Sequence, residues 1–184
     1  GAASFVPLKK GFKKTCDMID ALSKIGDFNI RVTAYPHKHP EAESLEKEME
    51  WLKRKIDAGA CEAITQFFFE AEDFFRFRDL YEKSGIDVPI TPGILPIENW
   101  ASTKAFGQRC GSKVPDWIDA AFRTAPRDNH GDLLSVALGT ELCSDLIDGG
   151  VENLHIYTLN KPELTRDIRA ALGVAPRTSL QKVA

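Results

Sequence analysis

The segment "FNIRVTAYPHKHPEAES", Phe28–Ser44, decides how the chain is read. Its first part, with Ile30, Val32 and Thr33, has the residue types of a strand, expected over Phe28–Tyr35. The next ten residues, Tyr35–Ser44, hold two histidines, two prolines and two glutamates. A helix is expected directly after them, over Ser44–Ala58, with Ser44 as N-cap and Gly59 closing the end. Strand, polar loop and helix in that order make one βα unit.

The same rhythm extends in both directions. Phe12–Ile25 reads as a helix with Phe12, Cys16, Ile19 and Leu22 on one face. Strands are expected at Glu62–Phe69, Val88–Pro96 and Asn153–Leu159. Helices are expected at Ala71–Ser84, Glu98–Arg109, Pro115–Phe122, Asp132–Asp148 and Pro162–Leu172, with fraying after Gly173 and through 175–184. Alternating strands and helices predict an α/β fold with a parallel sheet. Tyr35, His39, Glu41, Gln66, Pro92–Gly93 and Tyr157–Asn160 all fall at or beyond the carboxyl ends of these strands. In a (β/α)8 TIM barrel that end is the active face, and a whole barrel takes about 250 residues and eight strands. Four strands therefore predict roughly the second half of such a barrel, as a single domain over 1–184.

Composition narrows the class. The chain has 184 residues, 43% hydrophobic and 28% charged, with a net charge of −3. This is the balance of a globular domain. Spread-out Lys and Arg argue against nucleic acid as a partner, and no apolar run approaches the length of a membrane span. "GAASFVPLKK" lacks an apolar core of signal-peptide length. Cys16, Cys61, Cys110 and Cys143 form no C-x-x-C pair, so reduced thiols in a cytoplasmic protein are expected. A start at Gly1, with methionine only at Met18 and Met49, suggests part of a longer or processed polypeptide.

Each motif admits a plain reading and a functional one. "HKHPEA" offers His37, His39 and Glu41 to a metal, as in a metal-dependent barrel hydrolase, or to an organic ligand; it also fits a polar surface loop. Lys53, Arg54 and Lys55 are either a solvated helix face or a phosphate site, where Arg supplies a fork and Lys a point charge. Gln66 interrupts the apolar strand "ITQFFF". Strand parity groups it with Ile64 and Phe68, opposite Ala63, Thr65 and Phe67. A buried amide needs hydrogen-bond partners, and at the top of a strand a ligand can supply them. "YTLN" reads equally as a strand end with a cap or as a ligand wall, and "PGILP" as a segment that shapes the backbone. No G-x-G-x-x-G follows any strand, which argues against a Rossmann dinucleotide site.

Taken together, "AYPHKHPEA", "LKRKIDAGA…AITQFFF", "PITPGILP" and "LHIYTLN" resemble the methylenetetrahydrofolate reductase family, in order and spacing from about Asp27 to Val174. The resemblance implies a TIM barrel holding FAD across its strand ends. It implies NADH or NADPH as reductant and conversion of 5,10-methylenetetrahydrofolate to 5-methyltetrahydrofolate, in one-carbon metabolism and methionine synthesis. By motif, Tyr35, His39, Glu48, Trp51, Arg54, Lys55 and Ile64 would contact the flavin cofactor. Gln66 would serve catalysis and substrate, and Phe122, Tyr157, Leu159 and Lys161 would line the substrate side. No metal is implied. Glu48 and Trp51 stand where many members carry Asp and Asn, and Lys14 where a tyrosine is common. The family's general-acid glutamate and flavin-tuning aspartate fall outside the matched motifs. The expectation is therefore either a reductase associated as a homo-oligomer or with a missing barrel half, or a non-catalytic flavin- or folate-binding half-barrel subunit.

Overall fold

A computed structural model describes residues 8–125 and 131–175. The elements run α1 (Thr15–Ser23), β1 (Arg31–Ala34), α2 (Leu45–Asp57), β2 (Glu62–Thr65), α3 (Ala71–Lys83), β3 (Ile90–Thr91), β4 (Gly93–Ile94), α4 (Trp100–Cys110), α5 (Asp116–Thr124), α6 (Gly131–Asp148), β5 (His155–Ile156) and α7 (Glu163–Ala171). Each expected helix forms, with ends shifted by at most three residues. Ser44 does cap α2: its hydroxyl accepts from the Lys47 N–H at 3.3 Å, a contact worth about 1 kcal/mol. The tail from residue 176 onward lies outside the described residues.

All described strand pairs are parallel. β1, β2 and β3 form one sheet in that order, and β4 and β5 a second. The expected single strand Val88–Pro96 is thus split into β3 and β4. Pro92 lies between them and has no N–H to give a ladder. β3 pairs back to β2 and β4 forward to β5. The sheets do not close into a barrel among the described residues: β1 and β5 each keep an unpaired edge.

One face of the first sheet carries the core. Val32, Ala34 and Ala63 are buried against Ile19 of α1, Met49 and Leu52 of α2, and Phe77 and Tyr81 of α3. A second cluster joins Phe68 and Phe74 to Cys143 and Leu146 of α6 and Ile168 of α7. A third, at the carboxyl ends of the strands, gathers Phe67, Phe69, Leu95, Ile97 and Ile118. The opposite sheet face is less covered. There Arg31 pairs with Glu62 at 2.6 Å, and Glu62 also accepts from the Thr91 hydroxyl at 2.8 Å. Among the described residues no helix is long and apolar enough to cross a membrane.

Candidate functional site

The chain leaves β1 at Tyr35 and turns through a loop that is tied down at several points. The Tyr35 and His39 rings meet edge to face with centroids 4.9 Å apart. His39 Nδ1 accepts from the Glu41 N–H at 3.2 Å, and the His39 N–H donates to Glu48 at 3.2 Å. Lys38 has φ 76°, a left-handed backbone unusual for a non-glycine residue. His37 does not join His39 and Glu41. It sits 3.0 Å from Asp73, the buried carboxylate at the start of α3, which Arg76 also pairs with. Among the described residues no group of three or more His, Cys, Asp or Glu is arranged to hold a metal ion.

Asp73 fastens this loop to α3, and its electrostatics make a testable link to stability. Burial pushes its carboxyl up, but His37, Arg76 and Lys113 together leave it below the ordinary aspartate range. A carboxylate with a lowered folded pKa stabilises the fold above its ordinary range, and that contribution is lost as pH falls through it. Asp73→Asn should cost about 2–3 kcal/mol at neutral pH, the range for hydrogen bonds to charged groups. The difference from the parent should vanish in acid. Thermal unfolding of both proteins at neutral and acid pH checks this.

Below the loop a groove of about 660 Å³ opens between α1, α2 and the end of β1. Tyr35, His39, Glu48, Trp51 and Lys55 line it, together with Lys13 and Lys14. Glu48 is buried. Lys55 donates to the Thr33 carbonyl at 2.8 Å, and burial lowers its pKa against the opposing pull of Glu48 and Cys16. Trp51 is flanked by cations, with Arg54 4.8 Å and Lys14 5.9 Å from its ring centroid. Arg54 does not itself line the groove, and Ile64 lies on the less covered sheet face, half-buried. Lys14 holds the position where the resemblance expects a tyrosine, whereas Lys13 is a groove residue that the motifs do not reveal. Its signal is the charge pair in "GFKK", which looks like any solvated helix entry.

A second groove, about 630 Å³, lies between β4, α4 and the chain after β5. Tyr157, Leu159 and Lys161 line it with Leu95, Phe106 and Arg109. Lys161 pairs with Glu98 at 2.8 Å. Leu159 and Asn160 have φ of 48° and 64°. Two successive non-glycine residues in that region cost free energy, and such strain gathers at ligand sites. Phe122 is not brought here: it stacks on Trp100, centroids 5.3 Å apart, beside the third core cluster. Phe106 is the aromatic ring that α4 brings to the groove. Its position in "STKAFGQ" reads as ordinary helix, with no cue to a site.

Burial raises the Tyr157 pKa, and Tyr35 raises it further. The Thr65 carbonyl accepts the Tyr157 hydroxyl of the second groove at 2.9 Å, and the next N–H, that of Gln66, donates at 2.7 Å to the Ala34 carbonyl, one residue before Tyr35 of the first groove. Gln66 thus stands between Tyr35 and Tyr157, one residue beyond β2 rather than within a strand. It is half-buried, and its side-chain carbonyl accepts from the Phe67 N–H at 3.0 Å. Parity also fails past this point: Phe68, expected beside Gln66, turns outward to Phe74 and Leu146 because the ladder has ended. A third groove of about 660 Å³ runs along α3 and α6 over Phe68 and Leu95, away from every site residue expected from the motifs.

Comparisons with known proteins show the family and the fold. A profile described as methylenetetrahydrofolate reductase matches residues 2–173. The 5,10-methylenetetrahydrofolate reductases of Salmonella typhimurium and of Escherichia coli strain K12 are each 41% identical over 161 residues, covering 87% of this chain and 54% of theirs. "Methylenetetrahydrofolate reductase (NADH) 1" of Zea mays is 33% identical over 195 residues, covering 99% of this chain and 33% of its own length. The chain thus spans about half the length of the bacterial relatives. A solved structure, an uncharacterized protein from Clostridium thermocellum that binds two copies of 5-methyl-5,6,7,8-tetrahydrofolic acid, superposes with a TM-score of 0.57 at 21% identity. The match covers 92% of this chain and 62% of that one, and so shows a shared fold. With its parallel strands and helices and a family profile matched along nearly its whole length, the chain belongs to the methylenetetrahydrofolate reductase family.

Proposed function

We propose that this chain supplies the flavin cradle and folate wall of a reductase that converts 5,10-methylenetetrahydrofolate to 5-methyltetrahydrofolate with NADH or NADPH. The observation that carries the reading is the convergence of Tyr35, His39, Glu48, Trp51 and Lys55 in one groove bordered by Lys13, Lys14 and Arg54. Such a donor set suits FAD: the cations oppose the charge of its diphosphate, and the tyrosine and tryptophan rings offer apolar faces to its ring systems. The chemistry FAD supplies when bound is hydride transfer between nicotinamide and folate. Tyr157, Leu159, Lys161 and Phe106 form the folate side. The Clostridium thermocellum protein, which has a like fold and binds 5-methyl-5,6,7,8-tetrahydrofolic acid, supports a folate as the ligand.

Gln66 stands between the grooves, with an amide that both donates and accepts. Its role is to orient whichever substrate is present. In a polypeptide that carries the complete barrel, Gln66→Glu removes the donor and adds a carboxylate that is costly to desolvate. The expected result is slower folate reduction and some loss in the nicotinamide half-reaction, with FAD still bound. Stopped-flow measurement of each half-reaction separately checks it, and parental rates in both would make Gln66 a packing residue.

The less covered sheet face favours a partner for this chain. Parallel sheets are ordinarily covered on both faces, whereas among the described residues Arg31 and Glu62 stand on the less covered face, between two open edges. The counterpart that fits is a further set of βα units, supplied by the same polypeptide, another chain or a second copy, to complete a TIM barrel. Sedimentation of the 184-residue chain should show association or loose folding; a well-folded monomer of high thermal stability would refute this. A non-catalytic flavin- or folate-binding half-barrel is the second reading, favoured by the same face. NADH oxidation dependent on the folate would exclude it.

A further inference from the structure

The two sheets meet at Pro92, and the hydrogen bonds there are exchanged rather than lost. Along β2 the ladder is ordinary: the Ala63 N–H donates to the Pro89 carbonyl at 2.9 Å, and Ile64 stands opposite Thr91. Continued one step, that pattern would send the Gly93 N–H to the Thr65 carbonyl. It goes instead to the Thr65 hydroxyl, at 2.8 Å. The Thr65 carbonyl accepts the Tyr157 hydroxyl, at 2.9 Å. Thr65 is fully buried.

The geometry points to Thr65 as a positioning residue: its hydroxyl occupies the Gly93 N–H and leaves its carbonyl free to hold Tyr157 at the wall of the second groove. The inference rests on the reading of that groove as the folate side. Without the hydroxyl, the buried Gly93 N–H still needs an acceptor. The carbonyl it then turns to is the one that holds the phenol. Pro92, lacking an N–H, offers no alternative arrangement. The ring of Tyr157 is thereby released from the position in which it meets a ligand, although Thr65 itself touches none.

The test uses the 184-residue chain and two probes, 5-methyltetrahydrofolate and FAD. Thr65→Val keeps the side-chain size and should weaken folate binding about tenfold, the equivalent of one net hydrogen bond. FAD affinity, read at the Lys55 groove, should stay within about twofold, because neither Thr65 nor Tyr157 lines that groove. Thr65→Ser should restore folate binding, which a loss of packing alone would not predict. Tyr157→Phe should match Thr65→Val, and the double variant should be no weaker than either single one. Parental folate affinity in a folded Thr65→Val, failure of serine to rescue, or additive losses would each overturn the inference. If Thr65→Val does not fold, parental folate affinity in Tyr157→Phe overturns it instead. A parent chain that binds FAD but no folate overturns the groove reading and this inference with it; a parent that binds folate while ignoring position 65 overturns this inference alone.

Discussion

Lys55→Ala is expected to weaken FAD binding by roughly ten- to a hundredfold, the equivalent of one charge-assisted contact of about 1.5–3 kcal/mol. The size follows from where the ammonium sits. Lys55 is half-buried, anchored on the Thr33 carbonyl at 2.8 Å, and its lowered pKa reports that burial disfavours its charge. An anionic ligand group beside it would reverse that penalty, so the charge gains most when the groove is filled. Arg54 is more exposed, packed over Trp51, and Arg54→Ala should weaken FAD less. Neither change should alter 5-methyltetrahydrofolate binding at the second groove. Fluorescence titration of both ligands against parent and variants measures the contrast. Equal FAD affinity in Lys55→Ala would make the basic run of α2 a solvated helix face.

The largest effect on the fold is expected at Gly93. A Cβ built there would stand 2.2 Å from the Thr65 carbonyl oxygen and 2.6 Å from the Tyr157 ring. The first neighbour is backbone, which cannot swing aside, so the strands must separate or the tyrosine must leave. Gly93→Ala should cost about 3 kcal/mol, the upper end of ordinary overpacking. It should also impair folate binding more than FAD binding, because Tyr157 belongs to the second groove. Denaturant unfolding gives the first quantity and paired titrations the second. An alanine variant as stable as the parent would mean that the β2–β4 approach is looser than these contacts imply.

Legibility from sequence follows the kind of physics involved. Helix boundaries are readable because they are local: Ser44 and Gly59 mark α2 without reference to anything distant. The βα order is readable for the same reason. What stays hidden is set by tertiary contact. Pro92 divides a strand only because β2 and β5 lie on its two sides. Phe68 abandons the parity of Gln66 because the ladder ends at Thr65. His37, which the motif pairs with His39, turns instead to Asp73 on a different helix, a partner no spacing rule can suggest. Of the residues that line the two grooves, the motifs name Tyr35, His39, Glu48, Trp51 and Lys55, mark Lys14 only as a departure from a tyrosine, and pass over Lys13 and Phe106. A lysine at a helix entry and a phenylalanine within a helix look ordinary until the groove beside them is seen.

The central claim, that this chain carries a flavin cradle, is tested most directly by titrating the folded 184-residue chain with FAD and following flavin fluorescence. The account predicts saturable binding at one site per chain, weakened by Lys55→Ala and unaffected by Tyr157→Phe. Absence of saturable binding by a chain shown by circular dichroism to be folded, or binding indifferent to Lys55, would contradict it.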